Sequence, residues 1–141
     1  MGSKIIMDAN ILLDLSLKRS DDYLTLRGIY EKIISGAFKC YITTSIIHIC
    51  GYWLKYYRNV NEAKLILLGI LNDVRVIEAS HDISVNAIHS DMTDIEDALQ
   101  YYTALHHKLD CFISRDKNFR KQAKPELPVY YPDEFVKKFM I

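Results

Sequence analysis

The sequence predicts an α/β fold with a central parallel sheet of about five strands. Three observations carry this expectation. Short apolar runs alternate with segments of helical periodicity along all 141 residues, the order that βαβ units require. The runs are near-continuously apolar rather than alternating, which suits strands covered by helices on both faces. Acids follow two of the runs, Asp8 after the first and Asp116 after the fourth, and open parallel sheets bind ligands beyond the carboxyl ends of their strands. The length suits one domain, residues 1–141, with a substantial core.

The elements follow in order. "KIIMDAN" (4–10) is a buried strand whose apolar run ends in Asp8, and "ILLDLSLKR" (11–19) a short helix. Residues 21–36 read as a helix with Tyr23, Leu26, Ile29, Tyr30, Ile33 and Ile34 on one stripe, stopped by Gly36. "FKCYITT" (38–44) is the second strand, followed by helices near 45–58 and 61–72. "VRVIEA" (74–79) is the third strand, with a helical segment near 81–89. A helix at 94–108 then leads to a strand at 110–114. "PVYY" (128–131) is a short fifth strand, and "PDEFVKKFM" (132–140) opens a helix on proline.

Composition narrows the function classes. Lys and Arg number 18, as do Asp and Glu, so net charge singles out neither a nucleic acid nor a membrane, and any electrostatic role must come from local clusters. No apolar run reaches the roughly 18 residues of a membrane helix, and no secretory signal opens the chain, so no membrane association and a cytoplasmic location are expected. Cys40, Cys50 and Cys111 match no zinc spacing and read as small core residues, while the five histidines are scattered.

The acids in "DIEDALQYYTALHHKLDCFISRD" (94–116) have two readings. Thr93 and Glu96 fit a capping box, and Asp94 favours the positive end of the helix dipole. Asp97 lies three residues beyond Asp94, so the two carboxylates share an edge of the helix, at the margin of a core stripe of Ile95, Leu99, Tyr102 and Leu109; Tyr101 falls on the same margin. Singly, Asp8 and Asp116 are ordinary turn residues. Together with the helix-start acids they define a cleft where a divalent cation would relieve carboxylate repulsion; oxygen ligands favour Mg²⁺ or Mn²⁺.

"IIMDANILLD", "DIEDALQYYTAL" and "CFISRDKNF", in this order, resemble the PIN domain family of VapC-type toxins and related ribonucleases over nearly the whole chain. The resemblance implies a three-layer α/β/α sandwich and divalent-metal-dependent cleavage of RNA, within a toxin–antitoxin pair. It implies that Asp8, Asp97 and Asp116 hold the metal, that Asp94 adds a catalytic acid, and that Asn10 and Ser114 support the first and last acids. The alternative is a non-catalytic PIN-like module that binds RNA or protein.

One departure bears on this choice. Many relatives carry a Glu in the helix after the second strand, whereas "TTSIIHICGYW" (43–53) has no acid, and His48 or Ile49 occupies that place depending on register. Two further constellations bear on partners. "GYWLKYYR" (51–58) interleaves four aromatics with Lys55 and Arg58, a pattern that packs against a core or a protein partner, including a second copy, or stacks on unpaired bases. "SRDKNFRKQAK" (114–124) reads as a solvated loop or, beside the acids, as a phosphate guide through Arg115, Lys117 and Arg120.

Overall fold

The computed structural model describes residues 2–141. Five parallel strands, β1 (Ser3–Met7), β2 (Phe38–Thr43), β3 (Val74–Ile77), β4 (Cys111–Ile113) and β5 (Val129–Tyr130), form one sheet in the order β3-β2-β1-β4-β5. Register is set by pairs such as Ile5 with Cys40 and with Cys111, and Cys40 with Val74. The central strand β1 buries Ile5, Ile6 and Met7 completely, which is why its run is continuously apolar.

Eight helices connect and cover the strands: α1 (Ala9–Leu17), α2 (Tyr23–Ile34), α3 (Thr44–Tyr57), α4 (Val60–Asp73), α5 (His81–His89), α6 (Ile95–His106), α7 (Lys117–Lys121) and α8 (Pro132–Phe139). The chain steps from β1 to β2 to β3 in one direction and from β3 past β1 to β4 in the other. Right-handed crossovers then put α1–α4 on one face and α5 and α6 on the opposite face. Packing agrees: α1 touches α2 and α3, α3 touches α4 and α2 touches α8, while α5 pairs with α6. The result is the expected three-layer arrangement.

Local chemistry sets the element ends. Gly36 has φ 86°, a left-handed turn that glycine adopts without strain, just beyond α2. Thr43 ends β2 and caps α3 by accepting from the Ile46 N–H at 3.2 Å. Helix α1 begins at Ala9, two residues earlier than expected, because Asp8 already stands in extended geometry as its N-cap.

Three expectations are corrected. The cap of α6 is Asp94, not Thr93: the Asp94 carboxylate accepts from the Asp97 N–H at 2.9 Å, and the Thr93 hydroxyl instead accepts from the Gln122 amide at 3.4 Å. The buried residues of α6 are Ala98, Gln100, Tyr101, Thr103 and Ala104, and Ile95 is 64% exposed; of the expected stripe, Leu109 is buried and Tyr102 packs against the core. Tyr101 leaves the margin for the core because its hydroxyl is satisfied there, donating to the Leu127 carbonyl at 2.6 Å and accepting from the Lys124 N–H at 2.7 Å. The segment after β4 is not a plain loop: α7 forms because Asp116 caps it and Phe119 packs its ring 4.6 Å from Phe112.

Candidate acid cleft

The strand order reverses between β1 and β4, so the crevice beyond their carboxyl ends is the switch point of the sheet. Asp8 immediately follows β1, and Asp116 comes three residues after the end of β4. Both line one cavity of about 360 Å³ with Asn10, Asp14, Arg19 and Arg115.

Each acid is held differently. The buried Ser114 hydroxyl donates to Asp8 at 2.9 Å and accepts from the Asp116 N–H at 3.1 Å, so one serine ties the two acids to a common frame. One oxygen of Asp116 is taken by capping, accepting from the N–H groups of Asn118 and Phe119. Asp94 caps α6 in the same way. Asp8, Asp94 and Asp116 are thus all N-caps, and the positive helix ends favour their charge.

Asp97 lies in the first turn of α6, and its carboxylate forms no hydrogen bond among the described residues. Burial, and then the charges of Asp94, Asp8, Asp116 and Glu96, push its carboxyl up to about 7. Burial also raises Asp8, outweighing the Ser114 hydrogen bond, and Asp116 and Asp94 add to the rise. The four aspartates therefore share one electrostatic environment, although Asp94 and Asp97 lie outside the lining of the Asp8–Asp116 cavity. Among the described residues, no three carboxylate, histidine or cysteine side chains are close enough to enclose an ion directly. The donor set nevertheless fits Mg²⁺ or Mn²⁺: these are hard oxygen donors, crowded by their own charge, and Mg²⁺ keeps several waters while using one or two carboxylates.

The two candidate positions in α3 differ in burial. His48 is exposed and stands near enough to Glu96 to pull that carboxyl down, against burial and the charges of Asp94 and Asp8. Ile49 packs against the core.

The basic residues are largely committed. Arg115 bonds Asp22 through both Nε (3.1 Å) and Nη2 (2.9 Å), and reaches Asp14 through Nη1. Asp14, only 8% exposed, also pairs with Arg19. Burial alone would raise Asp22, but hydrogen bonds from Arg115 and Ser20 hold it below the usual carboxylate range. Arg120 pairs with Glu134 and lies over the Tyr131 ring. Lys117 forms no ion pair among the described residues. Sequence reasoning missed Asp14 and Asp22 because their partner lies 101 and 93 residues away. The available signal was an acid inside the apolar run "ILLDL".

Parallel order, a reversal at β1/β4 and acids at that crevice define an α/β domain with an acidic cleft at its switch point. The sequence matches the PIN domain family over residues 4–118, and the chain belongs to that family. Among solved structures it is similar to VapBC2 from Rickettsia felis bound to a promoter DNA fragment (TM-score 0.70, 12% identity, 91% of this chain and 98% of that chain). It is also similar to VapC20 of Mycobacterium tuberculosis, described as a sarcin–ricin loop cleaving toxin (TM-score 0.68, 13% identity, 86% of this chain and 97% of that chain). A toxin–antitoxin complex from Klebsiella pneumoniae aligns with TM-score 0.66 and 24% identity over 91% of this chain and 97% of that one. No match was found among curated proteins. Among the described residues no helix is long and apolar enough to cross a membrane.

Proposed function

We propose that this protein is a divalent-metal-dependent endoribonuclease, the toxin of a toxin–antitoxin pair. The observation that carries the reading is the meeting of Asp8 and Asp116 on Ser114 at the switch point, with Asp97 electrostatically joined to both. Asp8, Asp97 and Asp116 would hold Mg²⁺ or Mn²⁺, with Asp94 as a further acid at the start of α6. The bound cation supplies a water of lowered pKa and offsets charge developing on the phosphate. Ser114 keeps Asp8 and Asp116 in fixed orientation, and Asn10 borders the same cavity. Lys117, one residue past Asp116 and free of ion pairs among the described residues, contacts the substrate backbone. Arg115 acts by bracing the cleft wall through Asp14 and Asp22, and Arg120 by holding α7 to Glu134.

The solved neighbours that are toxin–antitoxin complexes, and the one described as cleaving the sarcin–ricin loop, support this reading. An antitoxin or a second copy has a surface to occupy, since Tyr52, Trp53, Tyr56 and Tyr57 of α3 are 38–69% exposed rather than packed into the core. The non-catalytic reading draws on one observation, the absence of an acid from "TTSIIHICGYW" (43–53), where the family resemblance leads one to expect a Glu. RNA cleavage in Mn²⁺ with wild type and Asp8→Asn decides between them. Cleavage by wild type that Asp8→Asn abolishes is expected; tight RNA binding without cleavage at saturating Mn²⁺ favours the binding module.

A further inference from the structure

Beyond the acid cleft, on the β2–β3 half of the same sheet edge, lies a second cavity of about 360 Å³. Its size falls at the low end of the roughly 300–1,000 Å³ of small-molecule pockets. Its walls combine the end of β2 and start of α3 (Thr44, Ser45), the residue after β3 (Glu78) and the middle of α6 (Leu99, Gln100). Gln100 lies three residues after Asp97, so the two share a face of α6 one turn apart. The cavity is therefore next to the acids.

Gln100 is the anomaly. It is 1% exposed, and its Oε1 has no hydrogen-bond partner among the described residues. Leaving a buried amide oxygen unsatisfied costs stability, so a polar side chain here is retained at a structural loss. Gln100 lines the cavity, and its carboxamide carries one acceptor and one donor side by side. Glu78 adds a carboxylate, engaged only by a long 3.4 Å contact from the Thr44 hydroxyl. Three hydroxyls of the wall bond within the protein: Thr103 donates to the Leu99 carbonyl at 2.6 Å, Ser84 donates to the Ser80 carbonyl at 2.9 Å, and Thr43 caps α3.

We propose that this cavity is a nucleobase subsite in which Gln100 and Glu78 select an unpaired RNA base carrying an exocyclic amine, adenine foremost, beside the scissile phosphate. The inference rests on the ribonuclease reading above and adds its base preference. A carboxamide pairs with the adjacent donor and acceptor of adenine, and a carboxylate accepts from an exocyclic amine. Uracil has no such amine. Leu99 supplies an apolar wall for the ring, and unpaired bases are the part of RNA that proteins read by their edges.

The test is the ratio of cleavage rates on oligo(A) and oligo(U) in Mn²⁺, measured for wild type, Gln100→Leu and Glu78→Gln, with a mixed-sequence RNA and thermal melting alongside. Wild type favours oligo(A) by roughly ten- to a hundred-fold, the range of one good bidentate base contact. Gln100→Leu, which removes an amide without a recorded protein partner, melts no lower than wild type and brings the ratio towards one. Glu78→Gln, at an exposed position, replaces one of the two acceptor oxygens with an NH₂ donor and shifts the ratio towards oligo(U). Cleavage of mixed RNA with the same ratio in all three proteins overturns the subsite and leaves the ribonuclease reading intact. Loss of stability in Gln100→Leu with an unchanged ratio in Glu78→Gln makes Gln100 structural and also overturns it. Absence of any RNA cleavage by wild type overturns both.

Discussion

Asp97 carries the sharpest charge conflict in the molecule. Its carboxyl is raised to about 7, first by burial and then by four neighbouring acids, so the folded protein binds a proton that the unfolded chain releases near pH 4. Stability from this group is full below about pH 4 and is lost as pH rises to about 7. Chemical denaturation of the metal-free protein across pH 4–8 is expected to show that decline, and Asp97→Asn to flatten it. Adding Mn²⁺ at pH 8 should restore stability to wild type more than to the variant. His48 gives a second residue-scale test. His48→Glu places an acid opposite Glu96 and should lower the Mn²⁺ concentration needed for RNA cleavage. Ile49→Glu, which buries charge against the core, should instead lower the melting temperature.

At the scale of elements, three helices begin on acids of the cleft, and this gives those acids two roles that mutation can separate. Asp94 holds the first turn of α6 through the Asp97 N–H. Asp94→Asn keeps an oxygen acceptor and should leave stability nearly unchanged, whereas Asp94→Ala should cost about 1 kcal/mol. Comparing the two variants in RNA cleavage isolates the carboxylate charge from the cap: equal loss of activity in both assigns the effect to charge. Helix α7 shows why the basic segment after β4 resists reading from sequence. Its five residues are too few for periodicity, and the ring of Phe119, 1% exposed, finds its place only against Phe112 and Tyr101.

For the whole molecule, the exposed apolar surface of α3 is the feature that one chain does not complete. Tyr52 and Tyr56 lie one turn apart and are 62% and 69% exposed. Contiguous exposed apolar residues mark interaction surfaces, so self-association is expected in sedimentation experiments. The double variant Tyr52→Glu/Tyr56→Glu should sediment as monomer without a lower melting temperature. A wild type that is monomeric at every concentration would leave this surface to an antitoxin.

What the chain determined by itself is local and periodic. Continuous apolar runs such as that of Ile5, Ile6 and Met7, the left-handed stop at Gly36 and the acids after β1 and β4 marked a parallel α/β fold with acids at its carboxyl edge. The family resemblance singled out Asp97 among the acids of α6. Tertiary structure decided what depends on distance across the chain. Strand order placed the switch point between β1 and β4, and the buried Ser114 joined Asp8 to Asp116. Arg115 pairs with Asp14 and Asp22 across the chain, and Tyr101 moves from the margin into the core. Hydrogen bonds and charges act through space, so partners about a hundred residues apart leave no trace in local periodicity.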